Sequence, residues 1–195
     1  VTGRPHAEAV AIGASAGALE ALSRVLPALP GDYPLPVFVV VHLPAEGESL
    51  LPDLLGRACS LPVREAEDKE PIRAGTVYLA PPDYHLLVER DGRLSLAADE
   101  PVQHARPSID VLFESAADAY GPGLVGVVLT GANADGARGL KAVVAAGGVA
   151  LVQHPGSSQA QAMPRAALAA CPDALALDLA GIAQYLAEAA RPAGP

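Results

Sequence analysis

The chain has 195 residues, enough for one domain with a sizeable buried core. Hydrophobic residues make up 51% and mean hydropathy is +0.29, which excludes a disordered chain. The formal net charge of −9, with only 13 Lys and Arg, argues against nucleic acid, which needs a basic stripe, and equally against an anionic membrane surface.

Pro, Gly or a charge interrupts every apolar run short of a membrane span, and no basic segment followed by an apolar one opens the chain. Neither membrane insertion nor a signal peptide is therefore expected. Cys59 and Cys171 lie in apolar, helix-like contexts with no C-x-x-C, which reads as two buried thiols in a reduced cytosol. No metal and no cofactor is expected.

Taken in chain order, continuous apolar runs of strand length fall at Val10–Ala14, Val37–His42, Thr76–Ala80, Leu124–Thr130, Val149–Gln153 and, more weakly, Ala174–Leu177. Between them lie amphipathic stretches at Ala18–Leu29, Ser49–Cys59, Ser108–Tyr120, Gly136–Ala146, Ser158–Ala170 and Leu179–Ala190. Uninterrupted apolar strands alternating with helices predict an α/β fold: a doubly wound, mainly parallel sheet with helices on both faces. Residues 84–97 break the rhythm; short alternating runs around Asp91-Gly92 predict an antiparallel hairpin appended to the sheet. The reading is one domain over residues 1–195, with a core over about 8–190 and tails at "VTGRPHAEA" and "RPAGP". The first residue is not Met, so the chain reads as a possible fragment of a longer protein.

In an open parallel sheet, ligands bind beyond the carboxyl ends of the strands. That ranks Ser15, His42, Thr130 to Asp135 and His154. Gly13-Ala14-Ser15-Ala16-Gly17 fits the G-x-S-x-G of a nucleophile elbow, in which small neighbours allow a sharp turn that exposes the serine hydroxyl. A Ser N-cap or an anion cradle at a helix start fits the same residues, although the G-x-G-x-x-G and P-loop spacings are missing.

A serine nucleophile requires a base, and the base an orienting acceptor. His6 lies in the tail, His85 reads as an exposed turn residue and His104 sits in a polar connection. His42 is the better base, because the neighbouring strand brings it beside Ser15; a buried His bonded to a backbone carbonyl is the alternative. Asp135 opens a helix after a strand, so it reads as the acid or as an N-cap, with Asn133 able to cap in its place. Asp110 is a rival acid inside a helical pattern. The order Ser, His, Asp disfavours an α/β-hydrolase.

Several stretches together resemble one family. "AIGASAG" is similar to its serine turn, "VVVHLP" to its His-x-Pro strand end, and "AGTVYLAPPDYHLLV" to the strand entering its hairpin. "RPSIDVLFESAA" and "GVVLTGANADGARGL" resemble its two most distinctive segments, and "AGGVALVQHPGSSQAQAMPRAA" its late helix. The family is the catalytic domain of the chemotaxis protein-glutamate methylesterases, which also deamidate receptor glutamines; the match runs from about Val10 to Leu186. The resemblance implies a Rossmann-like α/β sandwich, Ser15 as nucleophile, His42 as general base and Asp135 as the acid that orients it. It implies oxyanion donors near Ala16 and Ala132, and a cytoplasmic enzyme acting on methylated receptor helices.

It also suggests that Arg106 holds substrate carboxylates, against the alternative of a surface Arg leading into the helix at Pro107-Ser108. Met163 is a pocket wall or, more simply, core packing. The chain departs from the family pattern at Ala16, Gly17 and Ala18, where Thr-Gly-Gly is usual, at Ala132 and Asn133, where Met-Gly is usual, and at His154-Pro155 after Gln153. The family's N-terminal receiver domain has no counterpart in these residues. The altered serine loop motivates a second reading, a receptor- or kinase-binding signalling module with little or no turnover; a third is a Ser-His-Asp esterase acting on another acyl substrate.

Overall fold

The computed structural model describes residues 7–42 and 49–190. Seven strands form one parallel sheet: β1 (Ala9–Ala14), β2 (Val37–Val41), β3 (Val63–Glu65), β4 (Val77–Leu79), β7 (Leu124–Val128), β8 (Val149–Gln153) and β9 (Leu175–Leu177), in the order β3-β4-β2-β1-β7-β8-β9. The remaining pair, β5 (His85–Val88) and β6 (Leu94–Ala97), is antiparallel. Every residue of β1, β2 and β7 is buried, which is why these segments read as continuous apolar runs.

Helices cover both faces. On one side α1 (Ala18–Val25), α2 (Leu51–Gly56) and α6 (Leu179–Ala189) pack on Val10, Ile12, Val39 and Val127. On the other, α3 (Ile109–Tyr120), α4 (Ala137–Ala145) and α5 (Ala162–Ala170) pack on Ala9, Ala11, Phe38 and Val128. No helix of the described residues is long and apolar enough to cross a membrane.

Five local expectations change. The hairpin does not join the sheet; it stands apart and lies over α3, where Ser115 Oγ accepts the Val88 N–H at 3.1 Å. Strand β3 is additional: its Val-Arg-Glu is half-buried at the sheet edge and carries no apolar run to betray it. Pro27 turns the end of the first helix into a short 3-10 segment at Leu26–Ala28, and the fifth helix begins at Ala162, after a separate 3-10 turn at Pro155–Ser157. The N-terminal tail is also shorter than expected, since Ala7 is buried and Glu8 N–H already bonds to the Gly123 carbonyl.

Strand β1 is asymmetric in a way that sets the site. Toward α1 it shows Val10 and Ile12; toward α3 it shows Ala9, Ala11 and Gly13. The small side lets α3 approach closely: a Cβ at Gly13 would lie 2.2 Å from Ile109 Cγ2. Ile109 is the first residue of α3, so this contact fixes where that helix begins relative to the sheet. Gly13→Ala is expected to cost about 1–3 kcal/mol through overpacking. Denaturant unfolding checks this, the expected result being a lower midpoint at unchanged slope.

Candidate active site

Three neighbouring strands deliver the candidate residues. Ser15 follows β1, His42 follows β2, and Asp135 lies on the loop after β7, with β1 paired to both of the others. Backbone bonds extend the ladder past the strand ends: Ser15 N–H donates to the Thr130 carbonyl at 2.9 Å, and His42 N–H to the Ala14 carbonyl at 3.3 Å. Ser15 is not a helix cap. The N-cap of α1 is Gly17, with φ of +82°, a value that favours glycine, and a Cβ there would meet Gln159 Oε1 at 2.5 Å.

Asp135 is fully buried and accepts four hydrogen bonds: His42 Nε2 at 2.7 Å, Ser108 Oγ at 2.9 Å, Ile109 N–H at 2.7 Å and Asp110 N–H at 3.0 Å. It is therefore a cap, but of the wrong helix for a sequence reading: it closes α3, not the helix it precedes. Asp110 returns the favour. Its Oδ1 accepts Gly136 N–H at 3.0 Å and Gly139 N–H at 2.7 Å, closing α4. Asp110 is thus no rival acid, and Asn133 does not cap α4. A Cβ at Gly139 would stand 2.9 Å from Asp110 Cα, so glycine is what lets the two helix starts meet.

Burial alone would raise the Asp135 pKa, but the hydrogen bonds from His42 and from the amides of Ile109 and Asp110 outweigh it and hold the carboxyl below its ordinary value. The group is thus an acceptor-only carboxylate, and His42 Nε2 must carry the proton between them. Nδ1 is left with the lone pair, and its partner is Asn133 Nδ2 at 3.2 Å. Ser15 and His42 line the same cleft.

That cleft has a volume of about 410 Å³, and Ser15, His42, Asp83, His104, Arg106 and Asn133 are among the residues that line it. Arg106 spends its donors on the protein: Nε and Nη2 reach Asp83 Oδ1 at 2.9 and 2.6 Å, and Nη1 reaches the carbonyls of Ala98 and Asp99 at 3.0 Å. It ties the end of the hairpin to the cleft wall. Ala16 is exposed beside Ser15, its carbonyl accepting the Thr130 hydroxyl at 2.8 Å, and Ala132 is exposed on the loop after β7. Met163 is buried beneath that loop, where a Cβ at Gly131 would meet its Cε at 2.6 Å; it is a support and not a cleft wall.

Two other histidines are placed differently from expectation. His154 caps its own 3-10 turn through Nδ1 and stays outside the cleft. His85 is buried, not exposed; Nδ1 accepts Ser108 N–H at 3.1 Å, and Nε2 lies 3.2 Å from the Glu100 carbonyl. His6 and the Leu43-Pro44 that follow His42 lie outside the described residues.

Sequence reasoning gave Ser108, His85 and Gln153 no part in the site. Gln153 is buried and takes Thr130 N–H at 2.9 Å while donating to the Ser157 carbonyl at 3.0 Å, which pins the loop behind Ser15. A polar residue closing an apolar strand was the available signal. At the cleft mouth, Gln103 and His104 both have positive φ, +50° and +65°, in a tight turn closed by paired bonds between Val102 and Ala105.

Residues 10–186 match the family model described as CheB methylesterase. The chain belongs to the CheB methylesterase family. A putative protein-glutamate methylesterase/protein-glutamine glutaminase of Leptospira interrogans is 45% identical over 177 residues, covering 91% of this chain and 92% of that protein. A protein-glutamate methylesterase/protein-glutamine glutaminase of Archaeoglobus fulgidus is 39% identical over 82% of this chain, which spans 46% of that longer protein. The crystal structure of the Thermotoga maritima CheB methylesterase catalytic domain superposes with a TM-score of 0.89 at 30% identity, covering 93% of this chain and 98% of that one. The CheB fold therefore accounts for nearly all the described elements.

The pH dependence of stability follows from Asp135. Its pKa is depressed in the folded state, so between the unfolded value of about 3.9 and the folded value the unfolded chain binds the extra proton. The stabilisation is complete above that window and is lost as pH falls through the folded pKa. Thermal unfolding of the parent should fall steeply below about pH 4, and Asp135→Asn should flatten that limb. At neutral pH, Asp135→Ala should cost about 1–3 kcal/mol, since the start of α3 loses its acceptor.

Proposed function

We propose that the chain is a serine esterase that hydrolyses glutamate γ-methyl esters on chemoreceptor helices, and that it deamidates glutamines by the same route. Ser15 is the nucleophile, His42 the general base and Asp135 the group that orients it. The observation that carries the reading is the 2.7 Å pairing of His42 Nε2 with a buried carboxylate, on a ring that shares its cleft with Ser15. Membership of a family whose relatives bear the methylesterase/glutaminase name supplies the substrate class.

In this mechanism Ser15 Oγ attacks the γ-carbonyl carbon while its proton passes to His42 Nδ1. Asp135 keeps the ring in place and offsets the imidazolium charge. The tetrahedral intermediate places its oxyanion against backbone N–H groups near Ala16 and Ala132. Collapse returns the proton to the leaving methoxide, releasing methanol, or to the departing amine, releasing ammonia. Water, activated by the same ring, then attacks the acyl-enzyme and frees glutamate and Ser15. Nothing here favours the non-hydrolytic or other-substrate readings over this one.

Ser15→Ala should abolish methanol release from methylated receptor and labelling by a fluorophosphonate, with an unchanged melting temperature. His42→Ala should lower turnover roughly 10²–10⁴-fold. Methanol release by Ser15→Ala at the parent rate would sink the assignment. Labelling of Ser15 without methanol release from receptor would redirect it to another acyl substrate.

A further inference from the structure

The resting arrangement gives the base a partner other than the nucleophile. His42 Nε2 is committed to Asp135, and Nδ1 is the nitrogen on which the Ser15 proton must arrive. That nitrogen faces Asn133 Nδ2 at 3.2 Å. The orientation of the Asn133 amide is fixed independently, because its Oδ1 accepts the Asp135 N–H at 3.2 Å. With the oxygen so engaged, the –NH₂ group has to point at the imidazole. Donor meets lone pair, and every atom of the arrangement is consistent with one tautomer.

We propose that Asn133 is a positioning residue that masks the base: it holds the lone pair of His42 Nδ1 in the resting enzyme, and Ser15 gains that lone pair only when the Asn133 amide yields. The inference rests on the Ser15–His42–Asp135 reading above and adds a residue to it. Asn133 is exposed at the cleft wall, so its side chain has room to turn away. When Nδ1 takes the Ser15 proton it becomes a donor, and a second donor held in front of it opposes that step. Removing the amide should therefore make Ser15 more reactive.

Two variants separate the mask from the turn. Asn133→Ser keeps a side-chain oxygen for the Asp135 N–H but is too short to reach the imidazole. Asn133→Ala removes both contacts. Two readouts are taken on the full chain: the second-order rate of fluorophosphonate labelling at Ser15, and the ¹⁵N resonance of His42 Nδ1. Asn133→Ser should label about fivefold faster than the parent, the factor expected for releasing one net hydrogen bond. In both variants the Nδ1 resonance should move toward that of an unbonded lone pair. A resonance that stays put overturns the inference, whether or not Ser15 labels. A shifted resonance with no faster labelling of Asn133→Ser overturns the masking. Failure of the parent to label at all strikes the esterase reading instead, and the inference falls with it.

Discussion

The site is organised by one carboxylate. Asp135 has no solvent and four donors, and two of those donors are the first amides of a helix that begins elsewhere in the chain. A helix N-terminus carries unmet N–H groups and a partial positive charge, so a carboxylate placed there is stabilised as an anion. That anion then fixes the proton on His42 Nε2. The imidazole tautomer and the helix capping are settled by the same atoms, and neither can be altered without the other. The loop that carries Asp135 is in turn positioned by Asp110, which closes the next helix from the opposite direction.

Around this exchange the fold contributes proximity more than chemistry. Strand β1 sits between β2 and β7, so the residues after all three emerge at one rim. Its small face admits α3, and the tight spacing at Gly13 and Gly139 brings both helix starts within reach of the two aspartates. Thr130 then holds the serine turn from behind through the Ser15 N–H and the Ala16 carbonyl, and Gln153 holds Thr130. The cleft side is left to Arg106, Asp83 and the strained turn at Gln103-His104, none of which packs into the core.

Much of this was legible in the residues. Buried parallel strands announce themselves as unbroken apolar runs, and Ser15, His42 and Asp135 stand out because each closes or follows such a run. What the residues hide is reciprocity. Asp135 looks like a cap for α4 because local rules assign a carboxylate to the helix it precedes; its actual partner is set by a tertiary contact. His85 looks exposed because it opens a hairpin, yet the hairpin folds over α3 and buries it against the Ser108 amide. Strand β3 pairs only at the sheet edge and so needs no apolar signature. The turn at Gln103-His104 lacks the Asn-Gly or Asp-Gly that usually marks its conformation.

The mutual bracing of Asp110 and Asp135 has a bearing on how such a centre could be transplanted. Moving the serine, the imidazole and the acid onto another parallel sheet would not suffice, because the acid would arrive without the amides that keep it ionised. The smallest portable unit includes the beginnings of both helices and the glycine that lets them touch. A designer who copied only those three side chains would obtain their positions without the electrostatic ground on which they stand.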